Sequence, residues 1–252
     1  MRSTRVIPAL LLKNNGLVKT FKFKKPIYVG DPINAIKIFN EKEVDELVFL
    51  DIQASKLKRE PDYDLLKEFA SEAFFPLAYG GGINSVEQAK KIFRIGVEKI
   101  VLSSAAISNP KLISEISSYS GSSSVVVCLD IKKSFFGKYK IFNRINQKLV
   151  CKDPFDMAMM AEDLGAGEII INSVDLDGDM NGYDYELIEK MRSKISIPIV
   201  ALGGAGKLDH FKEAVKRGAT AVAAGSFFVF FGKLKGVLIT YPTSHDLDNL
   251  FK

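Results

Sequence analysis

The chain contains an internal duplication that restricts its possible folds. A stretch beginning at Pro76 aligns without gaps with a stretch beginning at Pro198, 122 positions further along. The alignment places identical residues on one another: Gly81 on Gly203, Gly82 on Gly204, Gly96 on Gly218, Ser104 on Ser226, and at the same offset Glu46 on Glu168. A repeat of about half the chain length indicates a fold assembled from two equivalent halves.

Short apolar runs alternate with amphipathic segments along the whole chain. The candidate strands are Arg5–Leu12, Glu46–Ile52, Phe75–Tyr79, Lys99–Leu102, Ser124–Asp130, Glu168–Asn172, Pro198–Ala201 and Ala221–Ala224. Apolar strands separated by helices are typical of a parallel sheet with a covered face. Eight such units predict a single (β/α)8 TIM barrel, with half-barrels of about 1–122 and 123–252. An open, doubly wound sheet is the alternative, but the repeat favours the closed barrel.

Composition excludes several classes of protein. The 252 residues are 47% hydrophobic and 26% charged, as in ordinary globular proteins, so we expect no extensive disorder. Cys128 and Cys151 are predicted to be reduced core thiols, and with only two histidines we expect no metal site and no organic cofactor. No apolar run approaches the roughly 20 residues of a membrane span, so a cytoplasmic location without membrane insertion is predicted.

The net charge of +5 fits a phosphorylated small-molecule substrate. No recognition motif accompanies the charge, so no nucleic acid is expected as a partner. The tightest basic group lies in the segment Phe21–Lys25, where aromatic and basic residues alternate as in a two-faced strand. Lys19 lies in the same early loop, which is predicted to fold over the mouth of the barrel and is a candidate substrate-binding region.

Two glycine clusters occupy equivalent places in the two halves, each after a strand and before a helix. Glycine allows backbone N–H groups to approach an anion closely, and a helix N-terminus adds positive potential. The duplicated pair therefore predicts two phosphate sites, although tight strand-to-helix turns alone would also require glycine. The residues assigned to these sites are Gly81, Gly82, Ser103 and Ser104 in the first half, and Gly203, Gly204, Gly225 and Ser226 in the second.

Three aspartates fall at predicted strand ends, where the active sites of such barrels lie. Asp130 follows an apolar strand, so partial desolvation would raise its pKa and suit it to general acid–base chemistry. Asp51 is assigned to the substrate-binding site, and Asp177-Gly178 is a candidate phosphate loop. A salt bridge or a helix cap is the structural alternative for each of these carboxylates.

Charged residues also occur at the opposite end of the barrel. Arg5, Glu46, Lys99 and Glu168 lie at or just before the starts of four strands. Two acids and two bases at these positions predict a salt-bridged ring around the bottom opening. The ring is interpreted either as a structural plug or as a gate to the barrel interior.

Together these motifs resemble the cyclase subunit of imidazole glycerol phosphate synthase. The similarity covers roughly residues 5–232 and rests on IPALLLKNNGLVK, DELVFLDIQAS, GGGI, VVVCLDIKK, GAGEIIINSVDLDGDMNGYD and GGAG. The resemblance implies that a glutaminase subunit docks at the bottom of the barrel, where Glu98 stands for an interface aspartate, and that ammonia passes the ring. It further implies that ammonia reacts at the top with a bis-phosphorylated ribulosyl aminoimidazole intermediate.

The chain departs from the family pattern at its catalytic positions. The family uses two aspartates; Asp130 matches the second, but Leu11 stands at the first. Ser103 replaces an asparagine, Leu176 an arginine, and Leu202 a usual serine. Leucine can neither accept nor donate a proton, and losing one partner of an acid–base pair commonly costs about 10²–10⁴ in rate. Ordinary two-carboxylate cyclisation is therefore not expected from this chain.

Three functional hypotheses remain. The departures, together with IPALLLKNNGLVKTFKF, IKKSFFG and FGKLKGVLITYP, resemble a paralogous branch associated with surface-polysaccharide (O-antigen) biosynthesis. In that branch the barrel works with a glutaminase and a sugar amidotransferase to convert an acetamido group into an acetamidino group. The second hypothesis is a true cyclase of histidine biosynthesis that uses another acid, such as Asp51. The third is a non-catalytic scaffold that activates the glutaminase.

Overall fold

A computed structural model describes residues 4–232 and 234–252 of the chain. Its strands are β1 (Arg5–Lys13), β2 (Gly16–Phe21), β3 (Lys24–Gly30), β4 (Leu47–Asp51), β5 (Leu77–Gly80), β6 (Lys99–Leu102), β7 (Val125–Lys133), β8 (Tyr139–Asn143), β9 (Lys148–Val150), β10 (Glu168–Ser173), β11 (Ile199–Leu202), β12 (Ala221–Ala224), β13 (Phe230–Phe231) and β14 (Gly236–Val237). Its helices are α1 (Pro32–Glu41), α2 (Tyr63–Glu72), α3 (Val86–Ile95), α4 (Ser104–Ser108), α5 (Lys111–Ser120), α6 (Pro154–Asp163), α7 (Tyr185–Arg192), α8 (Leu208–Lys216), α9 (Ser226–Val229) and α10 (Ser244–Leu250).

Eight parallel strands close into a barrel in the order β1-β4-β5-β6-β7-β10-β11-β12. The barrel closes where β12 pairs in parallel with β1, with Arg5 opposite Ala221 and Pro8 opposite Ala224. This pairing confirms the predicted (β/α)8 barrel and excludes the open sheet. The eight predicted strands coincide with these eight, with ends that differ by at most three residues.

The strands are apolar throughout because both of their faces are buried. Along β1, Val6, Leu10 and Leu12 belong to the large core between the strands and the surrounding helices. Ile7 and Ala9 point the other way, into a second core that fills the barrel interior. This alternation of successive side chains places Leu11 on the interior face as well, at the upper rim.

Three β-hairpins extend the carboxyl ends of the barrel strands: β2–β3, β8–β9 and β13–β14. The predicted strand through Phe21–Lys25 is wrong. Lys22 and Phe23 form the turn between β2 and β3, with φ of 49° and 60°, so the alternation of lysine and phenylalanine marks a tight turn. The hairpin places this turn above the mouth of the barrel.

Candidate functional site

The mouth at the carboxyl ends of the strands contains two adjoining pockets. The first measures about 640 Å³ including its open side. Its lining includes six of the predicted site residues: Asp51, Gly81, Gly82, Ser103, Ser104 and Asp130. The structure therefore brings the glycine cluster of the first half to the same pocket as the candidate acid.

The second pocket, about 500 Å³, collects the corresponding residues of the second half. Its lining includes seven predicted site residues: Lys19, Asp177, Gly178, Gly203, Gly204, Gly225 and Ser226. Leu50 and Arg144 line both pockets. The duplication in the sequence thus appears as two related, adjoining pockets on one face.

Backbone packing requires glycine at the centre of each cluster. Gly82 has a φ of 73°, and a Cβ added there would lie 2.5 Å from the Arg59 carbonyl oxygen. Gly204 has a φ of 110°, and its added Cβ would lie 2.0 Å from the Gly182 carbonyl oxygen. These close approaches account for the two glycines structurally. The Gly82 amide donates to the Ser55 hydroxyl at 3.2 Å, so its N–H already has an acceptor.

Asp130 is almost completely buried at the upper end of β7. Its Oδ1 accepts a 2.8 Å hydrogen bond from Asn172 Nδ2 on the neighbouring strand β10, and Arg144 Nε lies 3.9 Å from its Oδ2. Burial raises the pKa of the Asp130 carboxyl, while Arg144 and the Asn172 hydrogen bond oppose that rise. A carboxyl with a raised pKa that faces a cavity has the properties of a proton-transfer group.

Asp51 lines the same pocket, but its carboxylate already has partners. Oδ1 accepts hydrogen bonds from the amides of Gln53 and Ala54 at 2.8 and 3.0 Å, and Oδ2 pairs with Arg59 Nη2 at 2.7 Å. These contacts comprise two turn-stabilising hydrogen bonds and a salt bridge, so the Asp51 carboxylate has a structural role.

Lys19 and Asp177 contact each other inside the second pocket. Lys19 Nζ lies 2.6 Å from Asp177 Oδ1, and Thr20 Oγ1 donates to Asp177 Oδ2 at 3.0 Å. The backbone amide of Lys22 donates to the Asp177 carbonyl at 2.9 Å. Burial lowers the pKa of the Lys19 ammonium, an effect that Asp177 opposes. These contacts fasten the β2–β3 hairpin to the loop that follows β10.

Apolar side chains complete the rim of the second pocket. Leu11 and Leu202 both line it and pack against the core of the barrel interior. Leu11 pairs with Leu50 on β4, close to the carboxyl ends of both strands. This part of the rim therefore offers contact surface to a ligand without offering it a proton.

At the opposite end, the four predicted charged residues form one cluster. Lys99 Nζ contacts Glu46 at 2.8 Å and Glu168 at 3.2 Å, and the Arg5 guanidinium is hydrogen-bonded to the same two carboxylates. Each base thus bridges both acids, which closes the predicted ring. Nearby, Glu98 is exposed, and its Oε2 accepts a 3.1 Å hydrogen bond from the Leu77 amide.

Four polar residues of the mouth were not predicted from the sequence: Ser55, Lys56, Arg144 and Asn172. Asn172 carries a detectable signal, since it is a polar residue at the end of the apolar strand β10. Arg144 carries none, because it lies in the turn between β8 and β9, elements that were not predicted. Cys151 was predicted to be buried and is exposed, since it follows the edge strand β9.

Cys128 is buried in the barrel interior, as predicted, and burial raises the pKa of its thiol. Across residues 4–232 and 234–252, no group of three or more histidine, cysteine, aspartate or glutamate side chains is arranged to hold a metal ion. Within the same residues, none of the helices has the length and apolar character that crossing a bilayer requires.

A closed parallel barrel with polar pockets at the carboxyl ends of its strands is the architecture of (β/α)8-barrel enzymes. Comparison with known proteins then identifies the family. Residues 5–235 match the family described as histidine biosynthesis protein. The chain belongs to this family, and it is similar to the HisF subunits of imidazole glycerol phosphate synthase.

Individual relatives cover nearly the whole chain. A Pseudomonas aeruginosa protein provisionally named imidazole glycerol phosphate synthase subunit hisF2 is 50% identical over 97% of this chain and 98% of its own length. A Leptospira borgpetersenii protein, provisionally named subunit HisF, is 51% identical over the full length of both chains. Imidazole glycerol phosphate synthase subunit HisF of Streptomyces avermitilis is 40% identical over 90% of this chain and 91% of its own.

Proposed function

We propose that the chain is the ammonia-accepting barrel subunit of a glutamine amidotransferase, and that its glutaminase partner docks at the bottom of the barrel near Glu98. The observation that carries this proposal is the ring formed by Arg5, Glu46, Lys99 and Glu168. Buried ion pairs are weak sources of stability, because desolvation offsets much of their attraction. Four charged groups around the lower opening therefore favour a gate over a plug.

The barrel interior above the ring supports the same proposal. Its walls include small side chains such as Ala9, Ala78 and Ala223, with Cys128 below Asp130. Ammonia carries no net charge, so an apolar wall costs it far less than it would cost an ammonium ion. Ammonia that reaches the top would arrive beside Asp130, the carboxyl group in the mouth with a raised pKa.

The mouth supports a phosphorylated small-molecule ligand, with one anionic group in each glycine-lined pocket. For the chemistry at this mouth, we propose a role outside histidine biosynthesis. Leu11 supplies no proton at the rim, and the Asp51 carboxylate is bonded to Arg59 and to two amides. The proposed role is support of acetamidino-sugar formation in surface-polysaccharide biosynthesis, together with a separate sugar amidotransferase. A number in a name such as hisF2 is typical of a paralogue.

A true cyclase of histidine biosynthesis is the second candidate. It is favoured by the 40% identity to the Streptomyces avermitilis subunit and by the presence of Asp51 and Asp130 in one pocket. The scaffold hypothesis is weaker, since a protein that only activates a glutaminase has no use for two glycine-lined pockets.

Ammonia-dependent turnover of the bis-phosphorylated ribulosyl aminoimidazole intermediate separates the candidates. The purified chain would be compared with Leu11→Asp and with Leu11→Asn, which matches aspartate in shape but cannot exchange a proton. We expect no turnover by the unmodified chain and by Leu11→Asn, and partial turnover by Leu11→Asp. Robust turnover by the unmodified chain would overturn the paralogue proposal. Inactivity of all three would indicate a different ligand, to be tested with the sugar amidotransferase present.

A further inference from the structure

The turn after β8 carries Arg144 back over the mouth of the barrel. The Asn143 side chain fixes this turn, since its Oδ1 accepts hydrogen bonds from the amides of Ile145 and Asn146 at 2.8 and 3.4 Å. Gln147 Nε2 donates to the Arg144 carbonyl at 2.8 Å, which closes the turn on its other side. Arg144 is therefore held by local hydrogen bonds although it belongs to a loop.

The Arg144 guanidinium stacks on the Phe23 ring, with 4.4 Å between its Cζ and the ring centroid. Only 24% of the side chain is exposed. Its Nε lies 3.9 Å from Asp130 Oδ2, which is too long for a hydrogen bond. Among the described residues, the guanidinium donates no hydrogen bond to another residue.

A guanidinium has five N–H donors, and burying donors without acceptors is costly. Here the donors point to the place where the two pockets meet, because Arg144 lines both of them. Leu50, the other side chain shared by the pockets, is apolar and offers the guanidinium no acceptor. The guanidinium donors therefore remain available to a molecule that enters the mouth.

We propose that Arg144 binds an oxyanion of the ligand, a carboxylate or a phosphate group, at the centre of the mouth between the two glycine clusters. This inference rests on the proposed binding of an anionic ligand in the mouth. The planar fork of arginine matches either group through two parallel hydrogen bonds. Stacking on Phe23 holds the plane of the fork and links the occupied site to the β2–β3 hairpin.

The test is a titration of the ¹⁵N-labelled full chain with inorganic phosphate and, separately, with malonate. Two signals are followed by NMR: the Arg144 Nε–H and the backbone amides of the two glycine clusters. We expect the Nε–H signal to shift and saturate with at least one probe. A shift with phosphate alone indicates a phosphate site, and a shift with malonate alone indicates a carboxylate site. Shifts with both indicate a site that accepts either oxyanion.

Three variants give the matched comparison. Arg144→Met should weaken binding of the anion that shifts the Arg144 signal at least tenfold. Arg144→Lys keeps the charge but loses the fork, so its affinity should lie between those of Arg144→Met and the unmodified chain. Lys138→Met removes one charge from an exposed position in the turn between β7 and β8, and it should leave binding unchanged. Thermal unfolding of each variant checks that the barrel is intact.

The outcomes distinguish this inference from the proposed function. Shifts in the glycine clusters with no shift at Arg144 Nε–H, and equal binding by Arg144→Met, would overturn the role of Arg144 and leave the proposed phosphate pockets standing. No shift in either set of signals would overturn both. A loss of binding in Lys138→Met as large as that in Arg144→Met would show a general charge effect and also overturn the inference.

Discussion

The Asp130 carboxyl combines near-complete burial with a single hydrogen bond, from Asn172, and a distant cation, Arg144. One donor is few for a buried carboxylate, and burial therefore raises the pKa of Asp130 above its ordinary value. In the folded protein this group binds a proton more readily than in the unfolded chain. The fold thus disfavours the ionised form of Asp130, as is common for functional groups in active sites.

This imbalance predicts the pH dependence of Asp130→Asn. Because the folded state binds the proton more tightly, the unmodified chain loses stability as the pH rises above about 4, while the variant lacks this titration. The free energy of unfolding of Asp130→Asn, relative to the unmodified chain, should increase between pH 4 and pH 7.5. Urea unfolding at a series of pH values measures this difference.

The control is Asp209→Asn, which removes a carboxylate that is 78% exposed. The increase with pH should be larger for Asp130→Asn than for this exposed position because, of the two aspartates, only Asp130 is buried. A flat profile for Asp130→Asn would contradict the raised pKa. If the stability of Asp130→Asn relative to the unmodified chain fell with rising pH, the fold would instead stabilise the ionised Asp130 carboxylate.

The sequence predicted which of these residues lie at the mouth, but it did not predict their partners. Asp130, Asp51 and the glycine clusters follow apolar strands directly, so the barrel architecture alone places them at the mouth. Their partners depend on side-chain geometry across strands and loops. Nothing in the spacing of residues indicates that Asp51 pairs with Arg59 or that Arg144 lies near Asp130, and so their different surroundings became visible only in the fold.

Among the elements, the barrel strands were predictable and the hairpins were not. A strand buried on both faces is a continuous apolar run, which stands out in any window of sequence. The hairpins β8–β9 and β13–β14 are short, partly exposed and mixed in character, so they lack such a pattern. The β2–β3 hairpin pairs with β1, and a contact between residues 158 positions apart in sequence, Lys19 and Asp177, fastens it to the loop after β10.

That contact predicts how the hairpin responds to Lys19→Met. Lys19 and Asp177 are both buried, so the variant leaves the Asp177 carboxylate without its cation, a change that costs roughly 3–5 kcal/mol in buried pairs. The loss falls on the hairpin, whose other polar contacts to the loop are hydrogen bonds to Asp177 and the long ion pair between Lys22 and Asp179. Amides of residues 17–30 should lose most of their protection from hydrogen exchange, while those of β7 and β10 remain protected. Hydrogen exchange measured by mass spectrometry tests this.

Lys22→Met is the matched control, because Lys22 lies in the same hairpin and pairs with Asp179 at 3.9 Å through a largely exposed side chain. It should leave exchange in residues 17–30 unchanged. Equal exchange in Lys19→Met and the unmodified chain would show that the hairpin does not depend on the Lys19–Asp177 contact.

The charged groups at the two ends of the barrel differ in how completely they are paired. The mouth collects charged groups with incomplete pairing, such as Asp130 and Arg144, whereas the lower ring pairs every charge with two partners. The ring also connects β1, β6 and β10, strands that lie around the whole circumference. The ring therefore depends on the closed barrel as a whole and not on one local contact.

Replacing Arg5 by methionine tests this arrangement. Glu46 and Glu168 are both buried, and in Arg5→Met they would share Lys99 alone. Breaking a buried pair costs roughly 3–5 kcal/mol, and Arg5 is partly exposed, so we expect a loss of about 2–3 kcal/mol in urea unfolding. Adding Glu168→Gln removes one of the two carboxylates that share Lys99, so the double variant should lose less stability than the sum of the single variants.

Arg217→Met provides the comparison at the surface, because Arg217 also pairs with two glutamates, Glu189 and Glu213, but in an exposed setting. Exposed pairs are screened by solvent and salt, so this variant should lose much less stability than Arg5→Met, and the difference should persist at high salt. Equal losses at the two sites, or strict additivity of Arg5→Met and Glu168→Gln, would show that the ring is four independent surface charges. A coupled, salt-resistant ring is the condition that a gate at the lower opening requires, since it must stay closed when its partner is absent.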